Sequence, residues 1–133
     1  MSKTKAYKPT EAELQILQIL WEHGPSTVRI VNEILNTRKN VGYTTTLKIM
    51  QIMTEKDLVK PDKEMRTHVY TATVDKDDTE RQLLDKFLNR TFEGSAHKLV
   101  MQTLGNHTTS RDELEQIKKL IKEIEGEKDN GPG

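Results

Sequence analysis

The chain has 133 residues, 33% of them hydrophobic and 32% charged, with a formal net charge of zero and no cysteine. That apolar supply suits one modest core plus a helical appendage rather than two large domains, and makes dimerisation a natural remedy. The missing thiols exclude a disulfide framework, a thiolate zinc site and a cysteine nucleophile together.

No apolar run approaches the ~18 residues of a membrane span, and the basic stretch from Met1 to Lys8 leads into polar sequence. A cytoplasmic protein without membrane insertion is expected. Cut near Val74, the chain separates by charge, with 11 Lys/Arg against 8 Asp/Glu before the cut and 10 against 13 after it. Such an asymmetry permits a nucleic-acid partner for the N-terminal half without requiring one.

Thr10 followed by Glu13 forms a capping box, and Leu14, Leu17, Leu20 and Trp21 recur on one face, so a first helix is expected over about 11–23. Gly24-Pro25 ends it. Ser26 or Thr27 caps a second helix with Val28, Val31, Ile34 and Leu35 inward, and 36–42 reads as a loop. A third helix runs from about Thr44 to Lys56. Leu58-Val59 starts a strand, Pro61-Asp62-Lys63-Glu64 supplies turn chemistry, and the β-branched run from Thr67 to Val74 returns as a second strand. Three helices and a hairpin make a winged helix.

Beyond it the chain reads as helical. One helix spans about 77–92 and carries Leu83, Leu84, Phe87 and Leu88. A shorter one carries Leu99, Val100, Met101 and Leu104, with a break over 105–109. Ser110 and Glu113 form a second capping box, and behind it Leu114, Ile117, Ile121 and Ile124 make a narrow seam that wants a partner helix. The expected class is therefore mainly α with a small β-hairpin. Residues 1–74 form a winged helix-turn-helix DNA-binding domain, 75–125 an all-helical dimerisation domain, and 126–133 a disordered tail rich in Gly, Pro and charge.

On a helical wheel of the third helix, Leu47, Ile49, Met50, Ile52 and Met53 fill an apolar arc, leaving Thr44, Lys48, Gln51 and Glu55 in one outward polar stripe. That is what a recognition helix needs, because a buried scaffold holds it while short polar side chains reach base edges, with Gln able to bond adenine bidentately. The first turn enters the groove and its free N–H groups favour phosphate, which singles out Tyr43, Thr44, Thr45 and Lys48. Lys60, Lys63 and Arg66 decorate the wing, and Arg38 and Lys39 precede the helix, all placed for backbone contacts. A stripe and a few turn cations also occur on ordinary solvated surfaces. It is their combination that points to double-stranded DNA.

The residues Thr10-Glu11-Ala12-Glu13-Leu14 leading to Leu20-Trp21, then Gly42-Tyr43-Thr44-Thr45-Thr46-Leu47 leading to Leu58-Val59, resemble the penicillinase and methicillin-resistance repressor family, BlaI/MecI. The resemblance covers residues 7 to about 125 in the family's order and spacing. It implies a homodimer that represses an antibiotic-resistance or related operon by covering a palindromic operator. Its recognition-helix contacts fall on Tyr43, Thr44, Thr45 and Lys48, and its wing contacts near Lys63 and Arg66. It also implies a membrane-bound sensor metallopeptidase as partner, which in such families cuts an Asn-Phe bond in the dimerisation domain. The aligned pair here is Gln102-Thr103, alike in position and unlike in chemistry. Many members have a basic residue then Leu where this chain has Ile52-Met53, and Lys-Gly where it has Lys56-Asp57; Asp can still take the left-handed turn. Copper-responsive relatives use a cysteine motif that this chain lacks.

The four histidines, His23, His68, His97 and His107, have no paired or HExxH spacing, and neither a Gly-rich phosphate loop nor a nucleophile elbow occurs. No enzyme activity, cofactor or metal is expected. The rival reading is a winged-helix module that binds protein rather than DNA, since fold does not fix function. The Thr44/Lys48/Gln51 stripe with the basic wing discriminates against it.

Overall fold

The computed structural model describes residues 8–64 and 66–130. Most of the basic N-terminal stretch and the last three residues of the expected tail lie outside them. The elements are α1 (Glu11–His23), β1 (Ser26–Thr27), α2 (Val28–Leu35), α3 (Tyr43–Glu55), β2 (Val59–Asp62), β3 (Val69–Ala72), α4 (Lys76–Phe92), α5 (Ala96–Asn106) and α6 (Arg111–Asn130).

The capping box at α1 is formed in both directions. Glu13 N donates to Thr10 Oγ1 at 3.1 Å and Thr10 N donates to the Glu13 carboxylate at 2.9 Å, satisfying two of the donors that a helix start leaves open. Gly24 ends α1 at φ +83°, a backbone state in which a side chain is strained. Thr27 then caps α2 by accepting from Ile30 N at 3.2 Å. Asp57 takes φ 62° at the end of α3, the turn expected of it.

The core lies between these helices and the sheet. Ile16, Leu17, Ile19 and Leu20 of α1 are buried with Val31 and Leu35 of α2, Met50 and Met53 of α3, and Leu58, Val59, Tyr70 and Val74. Burying side chains of this size contributes roughly 1.5–3 kcal/mol each before entropy is counted. The hairpin gains a third strand, in the order β1-β3-β2, because Ser26 pairs with Tyr70 and Thr27 with Val69. Strand β2 also extends further than its turn chemistry implies, through Pro61 opposite Tyr70 and Asp62 opposite Val69. Proline is tolerated there because β2 is an edge strand, where an absent N–H breaks no central ladder.

The chain divides into two compact units, one ending at Lys86 and the other starting at Phe87. The division falls inside α4 rather than at the charge break near Val74. Val74 is 5% exposed and Thr79 fully buried. The Trp21 indole donates to the Val74 carbonyl at 3.0 Å. Asp75 opens α4, its carboxylate accepting from Asp78 N and its carbonyl from the Thr79 hydroxyl. The first turn of α4 thus belongs to the packing of the winged helix.

In the second unit, Glu93 and Gly94 at φ 54° and 82° turn the chain out of α4, and Ser95 caps α5. Helix α5 continues through Gly105 to Asn106, past the expected break, and the Ser110–Glu113 capping box starts α6. Helix α6 runs to Asn130, so 126–130 are helical where a disordered tail was expected. One glycine, Gly126, costs about 1 kcal/mol relative to alanine, too little to stop a helix flanked by Glu125, Glu127 and Lys128. Among the described residues from Phe87 onward no apolar side chain is buried. No helix among the described residues is long and apolar enough to cross a membrane.

Candidate nucleic-acid interface

Helix α3 is held from behind and open in front. Met50, Met53 and Thr46 are fully buried, while Tyr43 is 51% exposed and Thr44, Thr45, Lys48, Gln51 and Glu55 are exposed. The apolar arc is narrower than the wheel implied, since Ile52 is exposed and Thr46 takes an inward position instead. A buried threonine survives there because its hydroxyl is hydrogen-bonded.

The bond to Thr46 comes from α2. Asn32 Nδ2 donates to Thr46 Oγ1 at 2.8 Å and to the Val41 carbonyl at 3.0 Å. Asn36 Nδ2 donates to the same carbonyl at 2.8 Å, and Val41 N donates back to Asn36 Oδ1 at 3.1 Å. The two amides, one helical turn apart, thereby close the 36–42 loop and fix the start of α3. Neither was singled out in the sequence, although two asparagines four residues apart beside the Val28/Val31/Leu35 stripe are the signal. Gly42, the residue before α3, makes no side-chain cap, and a helix start has no intrahelical acceptor for its first N–H groups.

The other end of α3 is tied to α1. Lys56 Nζ donates to both Glu13 carboxylate oxygens, at 2.9 and 3.0 Å, and Glu13 is only 3% exposed. A carboxylate so enclosed needs a cation and further donors, which Lys56 and Thr10 N supply. The sequence does not display this bridge, because Lys56 lies 43 residues from Glu13 and the capping box alone gives that carboxylate a local role.

Lys63 and Arg66 are exposed in the turn between β2 and β3, and Lys60 on β2. Asp62 stiffens the turn by accepting from Glu64 N at 3.0 Å. Among the described residues no ion pair neutralises Lys48, Lys63 or Arg66. Behind Tyr43, burial pushes the Tyr70 hydroxyl above its ordinary value of 10.0, and Tyr43 adds to the shift.

The residues expected to pair two chains remain open. Leu84, Phe87, Val100, Leu114, Ile121 and Ile124 are 38–49% exposed, and Leu83, Leu88, Leu99 and Ile117 are half-buried. Gln102 and Thr103 lie exposed within α5, where the Thr103 hydroxyl donates to the Leu99 carbonyl at 2.7 Å and Asn106 donates to the Gln102 carbonyl at 3.0 Å.

A three-helix head with a β-wing, followed by helices with no buried side chain among the described residues from Phe87 onward, is a winged helix with a helical domain appended. The profile of the penicillinase repressor family matches residues 9–123. The chain is 25% identical over 120 residues to the penicillinase repressor of Bacillus licheniformis, covering 90% of this chain and 93% of that one. It is 26% identical over 124 residues to the transcriptional regulator BlaI of Mycobacterium tuberculosis, covering 92% and 88%. With the methicillin resistance regulatory protein MecI of Staphylococcus aureus it shares 20% over 117 residues, covering 88% and 95%. The chain belongs to the penicillinase repressor family, BlaI/MecI, which is a family of transcriptional repressors and not of enzymes.

Proposed function

We propose that this chain is a homodimeric repressor of a β-lactamase-type antibiotic-resistance or related operon, covering a palindromic operator with α3 and the wing of each protomer. The observation that carries the reading is α3 itself, a helix packed into the core whose open N-terminus and outward row of Thr44, Lys48 and Gln51 face solvent. Tyr43, Thr45, Lys63 and Arg66 complete the surface, the wing cations serving phosphates and the helix serving base edges. Dimerisation is supported by the second unit, whose exposed apolar row on α6 leaves it without a core of its own. Two copies of α3 then enter successive major grooves about 34 Å apart.

Release from DNA by a membrane-bound sensor metallopeptidase acting at Gln102-Thr103 is the finer part of the proposal. That bond is helical, and proteolysis favours exposed extended chain, so a local opening of α5 has to precede any cut. The test of function is selection of bound duplexes from a random pool by the full chain at physiological salt. An enriched palindrome is the expected result. A pool that stays random sinks the DNA reading and favours a protein-binding module.

A further inference from the structure

We propose that Asn32, a residue of α2 that faces away from the outward row of α3, is a positioning residue for operator recognition; the inference rests on the DNA-binding reading above. Gly42 supplies no side-chain cap, and a Cβ added there would meet nothing within 4 Å, so the start of α3 is not held by a side chain at its N-cap. Asn36 closes the preceding loop through Val41, but the side chain that reaches α3 itself is the Asn32 amide, which donates to Thr46 at 2.8 Å and to the Val41 carbonyl at 3.0 Å. A carbonyl only accepts, so the orientation of the amide is fixed.

Asn32 is itself carried by a helix locked into the core through Val28, Val31 and Leu35. Its amide therefore passes the rigidity of the core to the first turn of α3. If that turn began one residue earlier or later, the row of Thr44, Lys48 and Gln51 would rotate by about 100°. Base contacts depend on such placement, whereas attraction to the DNA backbone depends mainly on charge. Loss of Asn32 should thus cost discrimination between sequences and leave non-specific binding in place.

Asn32→Leu removes the amide at similar volume without adding charge, and Thr46→Val removes the acceptor while staying buried. Each is made in the full chain and titrated against the duplex selected by the unaltered chain and against a scrambled duplex of equal length. The expected result is a preference for the selected duplex reduced by about tenfold, the scale of one impaired base contact, with scrambled-duplex affinity and its salt slope unchanged. The double variant should lose less than the sum of the two, because the residues share one bond. A loss shared equally by both duplexes would mean that Asn32 only keeps the chain folded, and overturns the proposal, as does an unchanged preference in Thr46→Val. An unaltered chain that shows no preference overturns the DNA reading itself and this inference with it.

Discussion

Arg66 is exposed on the wing with no carboxylate paired to it among the described residues, so its contribution to binding should be purely electrostatic. Arg66→Ala is expected to reduce the dependence of log affinity on log salt by about one unit of slope, as the loss of one phosphate contact does. Titration at several salt concentrations reads this directly, and an unaltered slope removes Arg66 from the interface. Tyr70 makes a different prediction. Its hydroxyl is held above the ordinary value of 10.0, chiefly by burial, so the folded state keeps a proton that the unfolded chain gives up first. Stability is therefore complete below pH 10 and declines as pH rises beyond the unfolded value, until the folded hydroxyl itself ionises. Denaturant melts from pH 8 to 11 should show that decline, and Tyr70→Phe should make it shallower. If the two proteins decline in parallel, Tyr70 is not the group responsible.

Among the elements, those fixed by local chemistry were legible and those fixed by distant partners were not. The helices α1 and α6 announce themselves through Thr10/Glu13 and Ser110/Glu113, whose bonds close within four residues. Strand β1 has only two residues and becomes a strand through pairing with β3, so nothing in Ser26-Thr27 alone reveals it. The outward residues of α3 follow from its period, but Asn32 and Lys56 reach Thr46 and Glu13 across 14 and 43 residues of sequence, which no wheel displays. Helix α6 carries the clearest unmet requirement, because Leu114, Leu120, Ile121 and Ile124 are exposed on a helix with no buried residue among those described. In the dimer proposed above, Ile121→Lys places a charge where apolar contact is needed, and dimer affinity should fall by at least about tenfold. Sedimentation at several concentrations measures the effect. A dimer as tight as that of the unaltered chain would place the interface elsewhere.

At the scale of the molecule, the two units divide inside α4 at Lys86, which decides where the chain can be cut. A fragment ending at Val74 loses Thr79 and the start of α4, both part of the packing of the head. A fragment ending at Lys86 keeps them and should fold as a monomer. Without a second copy tethered to it, that fragment should bind the selected palindrome at least about a hundredfold more weakly than the full chain, the low end of what linking two binding modules confers. Equal affinity would show that the helical half does not serve DNA binding. The first unit also carries its own label. Trp21 is the one tryptophan of the chain, and its indole N–H is bonded to the carbonyl at which the sheet hands over to α4. Intrinsic tryptophan emission therefore arises at a single place, and its quenching or spectral shift follows the packing of the head around the start of α4, with no dye attached.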